Sequence, residues 1–366
     1  RMIRVLQIID SLQVGGAERV AVNYANGLMD FIDESHLCVT REEGPLLKSV
    51  DSNVDYIYLN KKSTLDIKAI FKLKEYVSKN RIDILHAHSS SFFIAILVKM
   101  LLPSLKIVWH DHYGNSELLN QRPKTILRLS SRFFSHIFSV NSQLKDWSIN
   151  NLVCEKVSYI KNFAVLNKPV SDLTFLAGRE DKRILCLANL RQQKNHIRLL
   201  EAFEIIKNKY PDWSLHCVGK DFKDAYSELF FSKVKTLNLK EDVYFYDSRS
   251  DILNIMKQCN IGLLISKSEG LPLALLEYGI AKLPVISTDV GNCGMLISDE
   301  SLGVLLSTDN KQEVADAIIC YIENEKYMKS SASNFNTKIK NEYSRDVILK
   351  DILGIYESII SLKRSN

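Results

Sequence analysis

The chain has 366 residues, of which 46% are hydrophobic and 25% are charged, and its formal net charge is +5. One hydrophobic core rarely grows to this size, so the length predicts two domains. The composition excludes a disordered or collagen-like protein. The mild positive charge does not require nucleic acid as a partner, although it suits contact with an anionic membrane surface.

The first half of the chain alternates predicted strands and helices. A β-rich run at residues 3–9 passes through a Gly-containing turn into a helical pattern at 17–29. Further strands are predicted at 37–40, 54–59, 82–88 and 106–110, and further helices at 66–78 and 92–102. Such alternation favours a parallel sheet covered by helices on both faces.

A second series follows a polar stretch at residues 162–182. Strands are predicted at 183–188, 214–219, 243–246, 261–265 and 284–288, with helices at 197–209 and from about Pro272. The predicted fold class is therefore α/β, with two Rossmann-like, doubly wound domains that face each other across a cleft. We place the first domain at 1–165 and the second at 166–345, and expect the last helix, within 346–366, to pack back on the first.

Cysteine spacing and hydropathy indicate which cellular compartment the protein is expected to occupy. The seven cysteines include no Cys-x-x-Cys pair and support neither a zinc site nor a disulfide framework. The apolar run at 92–102 is shorter than the roughly 20 residues that cross a bilayer. Without a secretory signal peptide, the sequence predicts a cytoplasmic protein, with peripheral attachment to the inner face of the membrane left open.

The segment 266–277, Ser-Lys-Ser-Glu-Gly-Leu-Pro-Leu-Ala-Leu-Leu-Glu, carries the strongest functional pattern. An apolar strand ends, a Gly turn follows, and Pro272 stands where a helix begins. The backbone amides and the dipole of that helix suit a diphosphate. Glu277 can then accept hydrogen bonds from ribose hydroxyls, and Glu269 from sugar hydroxyls. The alternative is that both are ordinary surface residues near a helix start.

A cationic loop follows the predicted strand at 183–188. Arg191 offers a planar fork and Lys194 a point charge, and the two together can neutralise a leaving diphosphate. Taken alone, such a loop is more often a solvated turn.

These segments resemble glycosyltransferase family 4. The residues from Glu269 to Glu277 match the family's Glu-x7-Glu motif, and Lys194-Asn195 matches its Lys-Gly/Asn signature. The Gly-Gly-Ala-Glu-Arg sequence within 11–19 resembles its N-terminal glycine loop, and residues 283–291 resemble the segment that closes the donor pocket. The chain departs from the family at four places, which carry Asn189-Leu190, Tyr278, Lys282 and Met295.

The resemblance implies a retaining, nucleotide-sugar-dependent glycosyltransferase with the GT-B fold. Glu277 would bind the donor ribose and Glu269 the transferred sugar, while Lys194 and Arg191 would hold the diphosphate. The implied donor-binding residues are Gly15, Gly16, Tyr246, Asp247, Gly270, Leu271, Pro272, Leu273 and Glu277, and Ser248 is added to the base pocket. The implied catalytic residues are His110, Glu269, Lys194 and Arg191. Family frequency favours a UDP-sugar.

Histidines follow two strands of the first domain. His110 ends one strand ahead of a Gly-containing loop, so we expect it to face the cleft and to orient the sugar or assist proton movement. His86 and His88 end another strand, where core or rim positions are as plausible as a function. A metal site built from these histidines lacks an accompanying carboxylate or Cys. No Asp-x-Asp triplet occurs, and we predict no metal or other cofactor besides the nucleotide sugar.

The acceptor is expected to be a saccharide, free or lipid-linked, because many relatives elongate lipid-linked saccharides. Residues 122–134 form a basic amphipathic stretch that suits anionic lipid, with a core helix bearing a cationic face as the alternative. Its cations are Arg122, Lys124, Arg128 and Arg132. The competing functions are a non-catalytic saccharide-binding relative and a GT-B epimerase. A dehydrogenase is excluded because Gly15-Gly16 lacks the Gly-x-Gly-x-x-Gly spacing.

Overall fold

The computed structural model describes residues 3–13, 15–113, 116–166, 173–269 and 272–361, and side chains 116–118 are left out. The chain divides into two compact units. One comprises Arg1–Asn162 together with Arg345–Asn366, and the other comprises Phe163–Ser344. Each contains its own sheet, so the N-terminal and C-terminal units are described separately.

The N-terminal unit is built on a seven-stranded sheet in the order β3-β2-β1-β4-β5-β6-β7, whose neighbouring strands are parallel. Its strands are β1 Arg4–Ser11, β2 Glu34–Glu42, β3 Asp55–Tyr58, β4 Ile84–His88, β5 Lys106–Asp111, β6 His136–Ser139 and β7 Val157–Tyr159. Its helices before residue 162 are α1 Gly16–Leu28, α2 Ile67–Lys79, α3 Phe92–Leu101, α4 Thr125–Ser130 and α5 Ser142–Asn151.

Both faces of this sheet are buried, which explains its nearly continuous apolar strands. Alternate residues of a strand point to opposite faces. Leu6 and Ile8 of β1 therefore pack in the cluster that contains residues of α2 and α3. The intervening Ile9 packs instead in a cluster with residues of α1.

The C-terminal unit carries a six-stranded parallel sheet in the order β10-β9-β8-β11-β12-β13. Its strands are β8 Arg183–Leu187, β9 Ser214–Val218, β10 Val243–Phe245, β11 Ile261–Leu264, β12 Val285–Thr288 and β13 Val304–Leu306. Its helices are α6 His196–Lys209, α7 Ala225–Thr236, α8 Ile252–Lys257, α9 Leu273–Ile280, α10 Cys293–Leu296, α11 Lys311–Glu323 and α12 Glu325–Glu342.

The last helix, α13 Arg345–Ser361, belongs to the N-terminal unit. It buries an apolar stripe that includes Leu349 and Tyr356. Leu349 packs against Gly27 of α1, where a larger residue would collide with it. Arg345 is joined to Asp30 by an ion pair of 2.6 Å. None of the helices in the described ranges has the length and apolar character needed to cross a membrane.

The expectation of one amphipathic helix at residues 122–134 is wrong. The helical part, α4, is six residues long and continues as a 3-10 turn at Ser131–Phe133. Arg122 lies outside it and makes two hydrogen bonds, of 2.6 and 2.8 Å, to the buried carboxylate of Asp111. Its guanidinium is flanked by the rings of Tyr113 and Trp147. This cation stabilises the protein interior and does not belong to a lipid-facing surface.

Candidate functional site

The strand order of the C-terminal unit places its candidate site. The order reverses between β8 and β11, so the loops that follow these two strands diverge at the carboxyl edge of the sheet. In open α/β sheets such a switch point is where ligands bind. The two loops are tied together by a hydrogen bond of 2.7 Å from the Lys267 amide to the Gln193 carbonyl.

Lys194 and Glu269 meet at this switch point as an ion pair between Nζ and Oε1. The Ser266 hydroxyl donates a second hydrogen bond of 2.6 Å to the same oxygen. Glu269 is 9% exposed, and these two partners compensate the cost of burying its carboxylate. An ammonium group carries three donors, and the contact with Glu269 leaves Lys194 able to bind an additional anion.

The Lys194 loop has a defined backbone. Residues Gln192–Lys194 form a 3-10 turn, and Asn195 takes the left-handed conformation, with φ of 58°, that leads the chain into α6. Asn195 is buried and donates 2.8 Å to the Asp309 carboxylate. This turn accounts for an Asn directly after Lys194, because Asn adopts the left-handed conformation more readily than most residues.

Helix α9 begins beside the same edge. Pro272 precedes it, and its helical bonding starts with the Leu275 amide donating to the Pro272 carbonyl at 3.0 Å. The amides of Leu273 and Ala274 lie ahead of that first bond, where a helix carries partial positive charge. Gly270 and Leu271, which the sequence placed in the same cradle, lie outside the described residues. Glu277 is half-buried in the second turn.

The hydroxyl of Tyr278 fixes α9 to the sheet. It accepts a hydrogen bond of 2.7 Å from the Leu187 amide at the end of β8 and donates 3.2 Å to the Leu263 carbonyl in β11. The side chain is fully buried. The departure from the family pattern at this position therefore has a structural reason, since one hydroxyl joins the helix to both strands of the switch point.

Gly291 lies against the backbone of Glu269. A Cβ at this position would overlap the Glu269 carbonyl oxygen, and the φ of +55° is strained for any residue with a side chain. The turn at 289–291 therefore packs directly against the backbone of Glu269.

Three further predicted residues are not joined to this pair. Arg191 is exposed, and its guanidinium lies 3.5 Å from the centroid of the Phe222 ring. The Tyr246 hydroxyl accepts a hydrogen bond of 3.1 Å from the Ala177 amide and forms another hydrogen bond with His216 Nδ1. Asp247 is exposed, and its side chain accepts a hydrogen bond of 2.7 Å from the Ser248 amide.

Comparison with known proteins decides the family. The sequence model described as Glycosyltransferase Family 4 matches residues 14–168, and the one described as Glycosyl transferases group 1 matches residues 175–340. The two matches account for most of both compact units. The chain belongs to glycosyltransferase family 4.

Individual relatives agree with this assignment. The glycosyltransferase is 24% identical over 357 residues to an uncharacterized glycosyltransferase of Haemophilus influenzae, covering 93% of this chain and 96% of the relative. It is 24% identical to the UDP-Gal:alpha-D-GlcNAc-diphosphoundecaprenol alpha-1,3-galactosyltransferase of Escherichia coli, covering 84% of each chain. The structure of Anabaena HepE in complex with UDP and glucose superposes with a TM-score of 0.79 at 18% identity, covering 97% of this chain and 100% of HepE. The predicted GT-B fold class and transferase activity are confirmed.

In the N-terminal unit of the glycosyltransferase, the glycine loop leads into α1. A Cβ at Gly15 would overlap only the end of the flexible Glu18 side chain, and the extended backbone there, with φ of −146°, suits any residue. Among the described residues, and apart from its chain neighbours and the backbone of α1, no atom lies within 4 Å of a Cβ built at Gly16. The backbone at Gly16 is therefore open on the side where a side chain would stand.

The expectation that His110 faces a cleft is wrong. Strand β5 continues to Asp111, and His110 is 1% exposed among Tyr24, His86 and Phe138, with no hydrogen bond to a described residue at either ring nitrogen. Burial lowers its pKa well below the usual value, which keeps it neutral. The half-buried imidazole after β5 is His112.

Within the described ranges, nitrogens of His86, His88 and His110 all lie within 4.8 Å of one another. The rings of His86 and His88 are stacked, with an angle of 5° between their planes. Stacked rings direct their nitrogen lone pairs in parallel, whereas a chelated ion needs them to converge. The arrangement is that of a stacked histidine cluster.

The sequence interpretation missed three polar anchors: the Ser266 hydroxyl, the Tyr278 hydroxyl and the Asp111–Arg122 pair. Ser266 had a signal, because it directly follows the apolar strand that leads to Glu269. The Tyr278 hydroxyl contacts residues far from it in the sequence, and Arg122 was interpreted as part of a lipid-binding stretch. Residue spacing alone therefore gives no signal for either anchor.

Replacing Tyr278 by phenylalanine should destabilise the protein. The Leu187 amide would lose its acceptor, and a buried donor left unpaired costs about 1–3 kcal/mol. Urea unfolding should therefore show the Tyr278→Phe variant losing about that much free energy of unfolding. Tyr327→Phe is the control, because its hydroxyl bonds the Glu300 carbonyl at an exposed site. Equal losses in both variants would contradict the anchoring role of Tyr278.

A methyl group at residue 291 should also be costly. Gly291→Ala forces a side chain into left-handed backbone, at about 1–2 kcal/mol, and adds the overlap with the Glu269 carbonyl. Thermal melting should show a clear loss of stability. Gly354→Ala in α13 is the matched control, since its Cβ meets no atom within 4 Å and alanine favours a helix. A Gly291→Ala protein as stable as wild type would show that the turn does not press on Glu269.

Proposed function

We propose that the C-terminal unit binds a nucleoside diphosphate sugar, with its diphosphate between Lys194 and the first turn of α9. The observation that carries this proposal is the Lys194–Glu269 ion pair at the switch point of the sheet. A cation and the positive end of a helix at one strand edge suit a group with two negative phosphates.

The two glutamates of the motif receive different parts of the donor in this proposal. Glu277, in the second turn of α9, binds the ribose hydroxyls. Glu269 binds hydroxyls of the transferred sugar, and its contacts with Lys194 and Ser266 both engage Oε1. Oε2 can therefore accept a hydrogen bond from the sugar while the ion pair is intact.

The reaction breaks the bond between the anomeric carbon and the diphosphate oxygen, a new bond forms from the acceptor oxygen to that carbon, and the proton of the acceptor hydroxyl passes to an oxygen of the departing diphosphate. The charge that develops on the diphosphate is stabilised by Lys194 and the amides of α9. We propose that the configuration at the anomeric carbon is retained, as is implied by the family. Arg191, in the same loop as Lys194, is proposed to contact the diphosphate after leaving Phe222.

We further propose that the N-terminal unit serves the acceptor. The orienting role expected of His110 is assigned to His112, because His110 is buried and His112 is half-buried directly after β5. The open backbone at Gly16 allows a phosphate to approach closely. Asp247 and Ser248, exposed after β10, are proposed to contact the base, with Tyr246 supporting them from its structural hydrogen bonds.

UDP is the proposed nucleotide, and a lipid-linked saccharide is the proposed acceptor in polysaccharide assembly. The Anabaena structure contains UDP, and the Escherichia coli relative is named for a UDP-galactose donor and a diphosphoundecaprenol-linked acceptor. No divalent cation is needed in this proposal, since Lys194 and the helix amides supply the positive charge beside the phosphates.

Replacing Lys194 should test the donor site. Lys194→Ala removes the charge that stabilises the leaving diphosphate, so kcat/KM for UDP-sugars should fall by about 100-fold or more in an assay of UDP release. Lys329→Ala removes a lysine from an exposed pair with Glu325 and should keep full activity. Wild-type activity should also survive EDTA.

Two outcomes would contradict the donor-site proposal. Full activity of a folded Lys194→Ala variant would remove Lys194 from the site. Loss of activity in EDTA that Mg²⁺ or Mn²⁺ restores would show that a divalent cation helps to stabilise the leaving diphosphate. Lys194→Ala leaves the buried Glu269 carboxylate without its cation, which destabilises the fold. Circular dichroism of both variants therefore separates a loss of function from unfolding.

A patch of the N-terminal unit suits an anionic membrane, where a lipid-linked acceptor would be found. Ile126 and Leu129 of α4 are 66% and 56% exposed, and Lys124, Arg128 and Arg132 around them are exposed as well. Lys124 Nζ donates 2.9 Å to Asn151 at the end of α5, which brings the exposed Ile149 and Val153 near α4. We call these apolar and basic residues the α4 patch and propose that it binds anionic lipid.

Vesicle co-sedimentation should detect this binding. The wild type should bind phosphatidylglycerol vesicles and not phosphatidylcholine vesicles. The double variant Ile126→Ser/Leu129→Ser should bind at least about tenfold more weakly, because each exposed side chain gains on the order of 1.5–3 kcal/mol on burial. Phe231→Ser, which changes an exposed apolar residue of α7, is the control. Equal binding by the three proteins would exclude the α4 patch as the contact.

A further inference from the structure

Three polar side chains form a hydrogen-bonded chain across the N-terminal sheet. Gln7 lies in β1, His88 is the last residue of β4, and His112 follows β5. Gln7 Oε1 is 2.8 Å from His88 Nε2, and His88 Nδ1 is 3.0 Å from His112 Nε2. Gln7 and His88 are fully buried, whereas His112 is half-buried. This series of hydrogen bonds therefore runs from the buried core to the carboxyl end of the strands.

The chemistry of the groups sets the direction of these hydrogen bonds. A carbonyl oxygen only accepts, so His88 must carry its hydrogen on Nε2. Burial lowers the pKa of His88 well below its usual value and that of His112 to about 3, so both rings are neutral and carry one hydrogen each. His88 Nδ1 is then an acceptor, and His112 must donate to it from Nε2. The lone pair of His112 is left on Nδ1.

Tyr356 of α13 lies in the same buried region, and burial raises the pKa of its hydroxyl. The Gln7 amide nitrogen is buried with no hydrogen-bond partner among the described residues, so the contact of its carbonyl oxygen with His88 Nε2 defines the orientation of the amide. The Tyr356 hydroxyl bonds His86 Nδ1 at 2.5 Å, which fixes its position in the core.

We propose that Gln7 and His88 are positioning residues that hold His112 as a neutral imidazole with its lone pair on Nδ1, ready to accept a hydrogen bond from a sugar hydroxyl. Among the described residues, His112 Nδ1 has no hydrogen-bond partner, while Nε2 is engaged by His88. A ring held in this state orients a hydroxyl and does not remove its proton. This inference rests on the role proposed for His112, but the tautomer can be measured without any substrate.

Nuclear magnetic resonance of ¹⁵N-histidine-labelled protein reports the tautomer directly. Long-range ¹H–¹⁵N correlations of the wild type, assigned by their absence from a His112→Ala variant, should show Nε2 protonated and Nδ1 bare. Gln7→Met has a similar volume and no acceptor, and it should give a mixture of His112 tautomers. Its kcat should fall about tenfold, as expected for a loss of one hydrogen bond in the transition state, while KM for the donor changes little.

Two further variants separate positioning from stability. Gln7→Glu places a carboxylate against His88 Nε2 and favours the imidazolium form of His88, which donates from Nδ1, so His112 should shift its hydrogen to Nδ1 and kcat should fall as in Gln7→Met. Ser91→Ala is the matched control. Ser91 is buried beside His88 and donates to the Ile8 and His88 carbonyls, so its loss should lower the melting temperature without changing the His112 tautomer or kcat.

The proposal is overturned if wild-type His112 carries its hydrogen on Nδ1. It is also overturned if Gln7→Met lowers the melting temperature as Ser91→Ala does but leaves tautomer and kcat unchanged. Should Gln7→Met fail to fold, the wild-type and Gln7→Glu spectra still decide the matter. Full activity of His112→Ala would instead refute the role of His112 in the reaction, and the tautomer result would stand independently.

Discussion

The buried carboxylate of Glu269 is the constraint on which the C-terminal unit depends. A carboxylate at 9% exposure is costly unless it is paired, and breaking such a pair by removing one partner typically costs about 3–5 kcal/mol. Its partners come from two places: Lys194 from the loop after β8 and Ser266 from the end of β11. The ion pair therefore requires β8 and β11 to be neighbours, and the strand order supplies that. The Tyr278 hydroxyl then fixes α9 to the sheet, and Gly291 lets the turn at 289–291 pack against the Glu269 backbone.

Much of this fold could be predicted from hydrophobic patterns, since strands such as β8 and β11 are buried on both sides and read as apolar runs. The strands that were missed, β6, β7 and β13, have three or four residues each. Length alone does not explain this, because β11 is equally short and was predicted from its apolar run, whereas β6 begins and ends with the buried polar residues His136 and Ser139. The stretch at 122–134 misled for another reason. Its first cation is withdrawn into the core by Asp111, a partner that lies in a different element.

The two histidines after Trp109 show what limited the prediction of the site. His110 and His112 are two residues apart, so an extended chain directs both to the same side of the sheet. Their exposure differs because the covering groups come from distant parts of the chain: Tyr24 from α1 lies 5.7 Å, centroid to centroid, from His110. Strand β5 also ends one residue beyond the predicted boundary. Local sequence carries the motif, but the helices that cover the sheet decide which histidine is accessible.

The electrostatics of the two units differ in a way that suits their proposed tasks. In the C-terminal unit the Lys194 ammonium group pairs with the buried Glu269 carboxylate, and the diphosphate is proposed to leave beside this pair with added negative charge. In the N-terminal unit burial lowers the pKa of His86, His88 and His110 and keeps these rings neutral, and Asp111, next to His110 in β5, is paired with Arg122. A neutral acceptor can hold a sugar hydroxyl without drawing its proton away or attracting the phosphates. Charge is thus concentrated where it must change during transfer and is excluded where only orientation is needed.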